Sequence, residues 1–315
     1  MLYVFYNEVD SNQCAPLVLK DLDNPKVRIV PAGMELFSFK NKIARILLWI
    51  GFALRVPLLF NFSKSFLQTV KGMNKDDKAL IFGSGICISS RIAFPFCKIC
   101  KAQKKYRWIW DTILNEEDES WLLDLKKYFE VWTFDRCDAK RYGLKYKNTV
   151  CACPKNCSTA EGSDFDCDVY FVGADRGRYD LLNSLYEDFT KEGLLCKFLV
   201  IKDDKSPKTE KKLKLLPRPI SLEENFNNVL RARAVLDIST EGQNGLTQRT
   251  LEGLFRVRKI ISSNPYVMEE KIFNEKNIFV LGQRPLSDLP TFIRSELAPF
   301  DPGPYTINEW IEEFL

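Results

Sequence analysis

Residues 234–262 read AVLDISTEGQNGLTQRTLEGLFRVRKIIS. The stretch begins with a short apolar run, Ala234 to Ile238, of the kind that forms a buried strand. A polar, glycine-containing loop follows, and Thr247 to Phe255 then has the spacing of a helix. Lys259 to Ser262 is a second apolar run, so the stretch predicts a strand–loop–helix–strand unit. Units of this kind pair their strands in parallel, which predicts an α/β fold.

The same alternation of strands and helices runs through the rest of the chain. Apolar runs predict further strands at Leu2 to Tyr6, Val27 to Val30, Ala79 to Phe82, Arg107 to Trp110, Val131 to Phe134, Val169 to Val172 and Cys196 to Ile201. Helices are predicted between them at Trp121 to Phe129, Tyr179 to Glu192 and Ser221 to Arg231, the last opened by a capping-box sequence. We therefore expect mainly parallel sheets that are covered on both faces.

The chain has 315 residues, which is about the length of two domains. A polar, cysteine-rich stretch from Thr149 to Asp168 has the composition of a linker between them. We therefore expect an N-terminal domain over residues 1–160 and a C-terminal domain over 161–304. A final helix over 305–315 is expected to pack back on the N-terminal domain.

Composition argues against several classes of protein. Although the basic residues are clustered, the net charge is only +4, so we expect no nucleic-acid partner. The chain has ten cysteines, and its first residues lack the pattern of a secretory signal, which predicts reduced thiols in the cytoplasm. Histidine is absent, which removes the commonest general base and the commonest metal ligand. Any proton transfer is expected to fall to a carboxylate.

A long apolar stretch from Ile43 to Phe62 carries basic residues inside it and on both flanks. Two interpretations stay open: a pair of core helices, or a basic amphipathic segment that lies on an anionic membrane surface. In the second case residues 40–71 would contact the inner face of the cell membrane, and the protein would be peripheral. Both interpretations fit a cytoplasmic protein.

The loop between Ile238 and Gln248 is the strongest candidate for a ligand site. A strand that ends in a polar, glycine-containing loop before a helix presents backbone N–H groups and a helix N-terminus, which suit a diphosphate. Arg249, in the first helical turn, can add a bidentate contact to phosphate oxygens. Glu252, three residues later, can accept hydrogen bonds from ribose hydroxyls. A loop with solvated surface charges is the alternative interpretation.

A second candidate loop follows the strand at Val169 to Val172 and reads Gly173-Ala-Asp-Arg-Gly-Arg178. Its amides and guanidinium groups are expected at the edge of the sheet where α/β folds bind ligands. Arg176 is our second candidate for diphosphate binding, and a solvated basic turn is the alternative. The two loops together give the predicted donor-binding set, which is Gly173, Arg176, Glu241, Gly245, Leu246, Thr247, Arg249 and Glu252.

Two groups of cysteines have spacings that a zinc site can use. One is Cys97-Lys-Ile-Cys100, and the other comprises Cys151, Cys153 and Cys157. The spacing of the second group is irregular, which favours free thiols over ligands. We therefore expect no metal.

Several segments resemble one group of bacterial enzymes. Leu236-Asp-Ile, Gly245-Leu-Thr-Gln-Arg249-Thr-Leu-Glu252 and Lys259-Ile-Ile-Ser-Ser-Asn264 are similar to the C-terminal domain of GT-B glycosyltransferases of the lipopolysaccharide, capsule and spore-coat-type families. Tyr106-Arg-Trp-Ile-Trp-Asp111 and Val131 to Gly143 are similar to N-terminal segments of the same group. The resemblance spans most of residues 79–282.

This resemblance implies a GT-B architecture, in which two Rossmann-like domains with mainly parallel sheets face each other across a cleft. It implies a hexosyltransferase that uses a nucleotide-diphosphate sugar as substrate and needs no cofactor or metal. The acceptor would be a surface glycan or a polyprenol-linked precursor. Carried over to this sequence, Arg249 would meet the diphosphate and Glu252 the ribose. Retaining members carry two glutamates eight residues apart, but Asn244 stands eight before Glu252, so the stereochemistry stays open.

A carboxylate must take the proton of the acceptor hydroxyl in an inverting transfer. Asp111, at the end of the strand Arg107 to Trp110, is the predicted base, although capping a helix or a turn is the commoner use of aspartate. A non-catalytic or epimerase-like nucleotide-sugar-binding protein is the alternative function, because one fold hosts several activities. A dinucleotide-dependent oxidoreductase is disfavoured because Gly83-Ser-Gly85 is followed by Ile-Cys-Ile-Ser89-Ser90, which lacks the last glycine of that fingerprint.

Overall fold

The structure is a computed structural model of the whole chain. The residues that it describes fall into seven ranges, which are 1–6, 14–31, 64–83, 96–113, 120–152, 165–240 and 242–315. They form two compact units. The N-terminal unit comprises Met1–Ala152 together with Gly303–Leu315, and the C-terminal unit comprises Cys153–Pro302.

The described part of the N-terminal unit contains a six-stranded sheet with the strand order β2-β1-β3-β4-β5-β6. All neighbouring strands run parallel. The strands are β1 (Leu2–Tyr6), β2 (Val27–Pro31), β3 (Lys78–Gly83), β4 (Lys104–Ile109), β5 (Glu130–Thr133) and β6 (Lys145–Tyr146). The apolar side chains of β3 are buried, as a parallel sheet covered on both faces requires.

Among the described residues, the helices that lie between these strands in the sequence include α1 (Cys14–Leu19), α2 (Lys64–Gly72), α3 (Ser120–Lys126) and α4 (Arg136–Tyr142). Helix α2 buries Phe66 and Val70 in the core of this unit. Helix α4 begins at Asp135, whose carboxylate accepts hydrogen bonds from the backbone N–H groups of Cys137 and Asp138. It ends at Gly143, which adopts the left-handed conformation (φ 59°) that favours glycine at a helix C-terminus.

The C-terminal unit contains a second six-stranded parallel sheet among its described residues, with the order β12-β11-β10-β7-β8-β9. The strands are β7 (Cys167–Ala174), β8 (Cys196–Ile201), β9 (Leu215–Leu216), β10 (Ala232–Asp237), β11 (Lys259–Ser262) and β12 (Ile278–Val280). Because β10 lies directly beside β7 and β11, the loops that follow these three strands meet at one edge of the sheet.

The described residues of this unit form the helices α5 (Tyr179–Lys191), α6 (Leu222–Leu230), α7 (Gln248–Phe255) and α8 (Leu289–Arg294). Side-chain oxygens cap two of them: Ser221 Oγ accepts from the backbone N–H of Glu224, and Thr247 Oγ1 accepts from that of Thr250. The core between helices and sheet contains Phe171 from β7 and Phe189 from α5, both fully buried. The sheet edge is thus a rigid base for the loops above it.

The last residues of the chain belong to the N-terminal unit. Helix α9 (Ile307–Trp310) and a 3-10 turn at Ile311–Phe314 bury Trp310 and Phe314 completely. The ring of Trp310 lies 4.9 Å from that of Trp108, centroid to centroid, and its Nε1 donates to the Asn148 carbonyl at 2.7 Å. Aromatic contacts of this kind attach the end of the chain to the N-terminal sheet.

The predicted α/β class with mainly parallel sheets is confirmed. Three strands escaped the sequence analysis: β6, β9 and β12, each of two or three residues. The helix predicted at Trp121 to Phe129 ends at Lys126, three residues early. Asp135, at the end of another predicted strand, caps helix α4. Capping is the commoner use of aspartate at such a position.

The apolar stretch from Ile43 to Phe62 lies outside the described residues, so the two interpretations of it stay open. The described end of the proposed membrane contact, residues 64–71, is part of α2. Within the described ranges, no helix combines the length and the apolar character that a membrane crossing requires.

Candidate functional site

The predicted ligand loops meet at the carboxyl edge of the C-terminal sheet, and Arg249 lies between them. Its Nη1 is 3.0 Å from Asp237 Oδ1 at the end of β10. Its Nη2 donates to the carbonyl of Val172 in β7 at 2.9 Å. The guanidinium carbon lies 5.2 Å from the centre of the Phe171 ring, within cation–π range. Arg249 therefore joins the ends of two neighbouring strands.

Asp237 anchors the start of α7 as well as Arg249. Its Oδ2 accepts hydrogen bonds from Thr247 Oγ1 at 2.7 Å and from Thr250 Oγ1 at 2.8 Å. The side chain of Asp237 is only 2 % exposed, whereas that of Arg249 is 24 % exposed. The carboxylate is therefore fully engaged inside the protein, and the guanidinium keeps an open side.

A second arginine, Arg178, bridges the same two strand ends. Its Nε donates to the Asp175 carbonyl at 3.1 Å and its Nη2 to the Ala174 carbonyl at 2.6 Å. Its Nη1 donates to the carbonyl of Ile238, which follows β10. Burial, together with the nearby positive charges of Arg249 and Arg176, lowers the pKa of Arg178 to about 10. The group still carries its positive charge at neutral pH.

Arg178 was not among the predicted site residues, although the quoted loop contains it. The sequence alone does not distinguish Arg178 from Arg176, because both lie within four residues of the end of the same strand. The backbone separates them: Arg176 (φ 50°) and Gly177 (φ 79°) are both left-handed, which reverses the chain between the two arginines. The glycine after Arg176 was the available signal for such a turn.

Arg176 itself is exposed, and its backbone is fixed by a hydrogen bond. Its N–H donates to Asp203 Oδ2 at 2.6 Å. Asp203 also accepts from the backbone N–H of Lys205 at 3.0 Å, so the loop after β8 holds the turn after β7 in place. The role of Arg176 in diphosphate binding stays a prediction.

Gly173 lies at the point where the two arginines approach each other. A Cβ atom added to Gly173 would be 3.3 Å from Arg249 Nη2 and 3.5 Å from Arg178 Nη2. The same atom would be 3.3 Å from Phe171 Cζ. The missing side chain therefore lets two guanidinium groups approach the same small space. The role of Gly173 in donor binding stays a prediction.

The loop between β10 and α7 is held from the neighbouring strand β11. Asn264 Nδ2 donates to the Asn244 carbonyl at 2.9 Å and to the Gly245 carbonyl at 3.4 Å. The backbone N–H of Ser239 donates to Ser263 Oγ at 3.1 Å. Gly245 is buried, as is Leu246, whose side chain is 2 % exposed. These contacts fix the path of the loop into the N-terminus of α7.

The remaining predicted donor-binding residues are Glu241 and Glu252. Glu241 lies outside the described residues. Glu252 lies on α7, and burial raises the pKa of its carboxyl, an effect that the charges of Arg256 and Arg249 oppose. The contact of Glu252 with ribose stays a prediction.

Asp111 lies in the N-terminal unit, where it is exposed just beyond the end of β4. The loop that carries it is attached to α4, because the backbone N–H of Ile113 donates to Asp138 Oδ2 at 2.7 Å. Burial raises the pKa of Asp138 to about 6, and the charge of Asp135 adds to this effect. The role of Asp111 as a base stays a prediction.

Six cysteines of the described residues are free thiols, namely Cys97, Cys100, Cys137, Cys151, Cys167 and Cys196. Cys97 and Cys100 are next to each other in the N-terminal core, where burial raises the pKa of both thiols, that of Cys97 to about 12. They are therefore protonated at neutral pH. Within the described ranges, no three potential metal ligands come together, and Cys153 and Cys157 lie outside those ranges.

No protein-family model matches the chain, and no curated protein matches it. Among solved structures, UDP-GlcNAc 2-epimerase from Methanocaldococcus jannaschii in complex with UDP-GlcNAc and UDP is 12% identical, with a TM-score of 0.47. The match covers 99% of this chain and 97% of the epimerase. Another structure of that epimerase has a TM-score of 0.42 at the same identity and coverage.

A glycotransferase of kitacinnamycin is 10% identical, with a TM-score of 0.42 over 93% of this chain and 90% of that one. At this level of similarity, neither the reaction nor the substrate of these enzymes can be transferred to this chain.

Proposed function

We propose that the carboxyl edge of the C-terminal sheet binds the diphosphate of a nucleotide sugar, and that the chain transfers the sugar to an acceptor. The observation that supports this most directly is the pair of guanidinium groups, Arg178 and Arg249, on either side of Gly173. Both arginines are partly buried and fixed by backbone carbonyls. Pre-oriented guanidinium groups of this kind suit the planar array of oxygens on a phosphate.

The number of free donors supports the same proposal. A guanidinium group carries five N–H bonds. Arg249 uses two of them, toward Asp237 and Val172, and Arg178 uses three, toward Asp175, Ala174 and Ile238. Among the described residues, three donors of Arg249 and two of Arg178 are left over. A ligand with several acceptor oxygens can satisfy them.

Electrostatics also favour an anion at this edge. The positive charges of Arg249 and Arg176 both act on Arg178, while the carboxyls of Asp237 and Asp175 oppose them. Among the described residues whose charges act on Arg178, two guanidinium groups thus accompany two carboxyl groups, and Arg178 itself adds one positive charge. The N-terminus of α7, eight residues long, begins at the same place and adds its partial positive charge. A bound diphosphate would reduce the repulsion between the arginines.

The reaction that we propose is transfer of a hexosyl group to a glycan or polyprenol-linked acceptor. The acceptor hydroxyl forms a bond to the anomeric carbon, the bond from that carbon to the diphosphate breaks, and the nucleoside diphosphate leaves. In an inverting transfer the hydroxyl proton passes to a carboxylate, which we assign to Asp111. Glu252 is proposed to accept hydrogen bonds from the ribose. A lipid-linked acceptor would place the protein at the inner face of the cell membrane, where residues 40–71 would contact it.

Calorimetric titration with uridine, guanosine, thymidine and cytidine diphosphates tests the binding step. We expect one of them to bind the wild type, and Arg178→Ala and Arg249→Ala each to weaken that binding about tenfold or more. Arg218→Ala, at an exposed position in the same unit, is the matched control and should bind normally. Failure of all four nucleotides at millimolar concentration would count against the proposal.

The transfer step needs a separate readout. Release of nucleoside diphosphate from the sugar conjugate, in the presence of a glycan or polyprenol phosphate acceptor, would support a transferase. Binding without release would favour the alternative, a non-catalytic nucleotide-sugar-binding protein. Conversion of the sugar without an acceptor would favour an epimerase.

A further inference from the structure

An aromatic side chain lies exposed on the loop that follows β11, beside the proposed anion site. Tyr266 is 38 % exposed and Met268 is 43 % exposed, while Val267 between them is 1 % exposed. All three belong to the 3-10 turn Pro265–Glu269, which Asn264 caps. Val267 therefore attaches the turn to the core, and its two neighbours present an aromatic ring and a thioether at the surface.

This turn is connected to the anion site through Asn264. The Oδ1 atom of Asn264 accepts a hydrogen bond from the backbone N–H of Tyr266 at 3.0 Å. Its Nδ2 donates hydrogen bonds to the carbonyls of Asn244 and Gly245. Those two residues lead into Thr247 at the start of α7. One side chain therefore fixes both the turn that carries Tyr266 and the loop that precedes Arg249.

The sheet sets the distance between the two features. Arg178 and Arg249 lie over the ends of β7 and β10, and Tyr266 follows β11, the next strand. Neighbouring strands are about 5 Å apart, so the end of β11 lies about 5 Å from the end of β10 and about 10 Å from the end of β7. Tyr266 follows the end of β11 by four residues. A ring attached directly to a bound diphosphate can extend across strand spacings of this size.

Within the described part of the chain, the ring and hydroxyl of Tyr266 make no stacking contact or hydrogen bond. A tyrosine ring offers a flat apolar face and a polar tip, which is the surface that proteins use to stack on nucleobases. We propose that Tyr266 is an aromatic platform for a ring carried by the diphosphate ligand, either the nucleobase or the sugar. This inference rests on the proposed function, because it assumes an anion held by Arg178 and Arg249.

Titrations of wild type, Tyr266→Ala and Tyr266→Phe test the platform. The probes are inorganic pyrophosphate, uridine diphosphate, guanosine diphosphate, UDP-glucose and glucose 1-phosphate. We expect Tyr266→Ala to lower the affinity for the ring-bearing ligands about tenfold, since stacking on an aromatic side chain contributes a binding free energy of this order. The affinity for pyrophosphate should stay unchanged. Tyr266→Phe keeps the ring and should bind within about twofold of wild type.

The pattern of losses identifies the ring. If Tyr266 stacks on the nucleobase, Tyr266→Ala lowers the affinity for the two nucleoside diphosphates. If it stacks on the sugar, the variant lowers the affinity for UDP-glucose and glucose 1-phosphate and leaves the affinity for uridine diphosphate unchanged. Tyr128→Ala, a tyrosine of equal exposure in the N-terminal unit, is the control and should change nothing. Equal affinities of wild type and Tyr266→Ala for every ring-bearing probe would overturn the platform, as would an equal loss for pyrophosphate. A wild type that binds none of the probes would instead refute the proposed function.

Discussion

The carboxylate of Asp237 and the guanidinium of Arg249 form an ion pair at 3.0 Å, in which the acid is almost completely buried and the base is partly open. The same carboxylate accepts hydrogen bonds from Thr247 and Thr250, at the start of α7. Asp237 thus fixes the direction of Arg249 and the position of a helix N-terminus together. It also lowers the net positive charge of the proposed anion site, so its two effects on ligand binding have opposite signs.

The variant Asp237→Asn separates these two effects, because it removes the charge and keeps the shape. We expect nucleoside diphosphate affinity to fall about tenfold, since the amide cannot accept hydrogen bonds from all three donors and Arg249 loses its direction. The free energy of unfolding should fall by about 1–3 kcal/mol, because buried donors are left without a partner. Titration calorimetry and urea unfolding measure the two quantities.

Asp180→Asn is the matched control for this variant. Asp180 is 83% exposed and pairs with Lys211 at 2.7 Å on the surface of α5, where such pairs contribute little. It should change neither affinity nor stability by a measurable amount. If Asp237→Asn bound the diphosphate as tightly as wild type or more tightly, the charge of Asp237 would matter more than its positioning of Arg249.

The lack of a side chain at residue 173 gives a second prediction. In Gly173→Ala the new methyl group lies 3.3 Å from Arg249 Nη2 and from Phe171 Cζ, so the arginine must shift by a few tenths of an ångström. We expect the affinity for a nucleoside diphosphate to fall several-fold while stability changes by less than about 1 kcal/mol. Gly72→Ala, where nothing lies within 4 Å, is the control. Unchanged binding in Gly173→Ala would show that the arginines need no close approach.

Much of the fold could be predicted because buried parallel strands are continuous apolar runs. Cys196–Ile201 and Lys259–Ser262 were predicted with the bounds that the structure has. Strands β6, β9 and β12 could not be found, because two or three residues are too few to show a period of two. Their pairing with a neighbouring strand, rather than their own sequence, makes them strands.

The candidate site was only partly predictable. Gly173 and Arg249 could be proposed from the sequence because one lies near the end of a strand and the other in the first turn of the helix after a strand. Loops after parallel strands meet at one edge of the sheet. Arg178 was missed because its direction depends on the left-handed turn at Arg176 and Gly177. Asp203, in another loop, holds that turn and so directs Arg178 toward β10. Asp237 was recognised only as a strand end, because its partners lie 10 to 13 residues away on the next helix.

The end of α7 gives a third prediction, on stability alone. Val257 is left-handed (φ 59°) and 42 % exposed at the position after the helix where glycine is usual. A β-branched residue is strained there, so Val257→Gly should stabilise the fold by up to about 1 kcal/mol, measured by urea unfolding. The converse control, Gly193→Ala (φ 78°), should destabilise by a similar amount. A loss of stability in Val257→Gly would mean that contacts of the valine outweigh its backbone strain.

Asp138 gives a prediction on pH dependence. Burial and the charge of Asp135 raise the pKa of Asp138 to about 6 from an ordinary 3.8, against the opposing effects of the Ile113 N–H and of Arg141. Between these values the folded state binds more protons than the unfolded state, so stability falls as pH rises from about 4 to 6. Asp138→Asn should therefore be more stable than wild type at pH 7, by on the order of 2 kcal/mol, and equal to it near pH 4. Urea unfolding at a series of pH values measures this difference, and an unvarying difference would show that Asp138 titrates alike in both states.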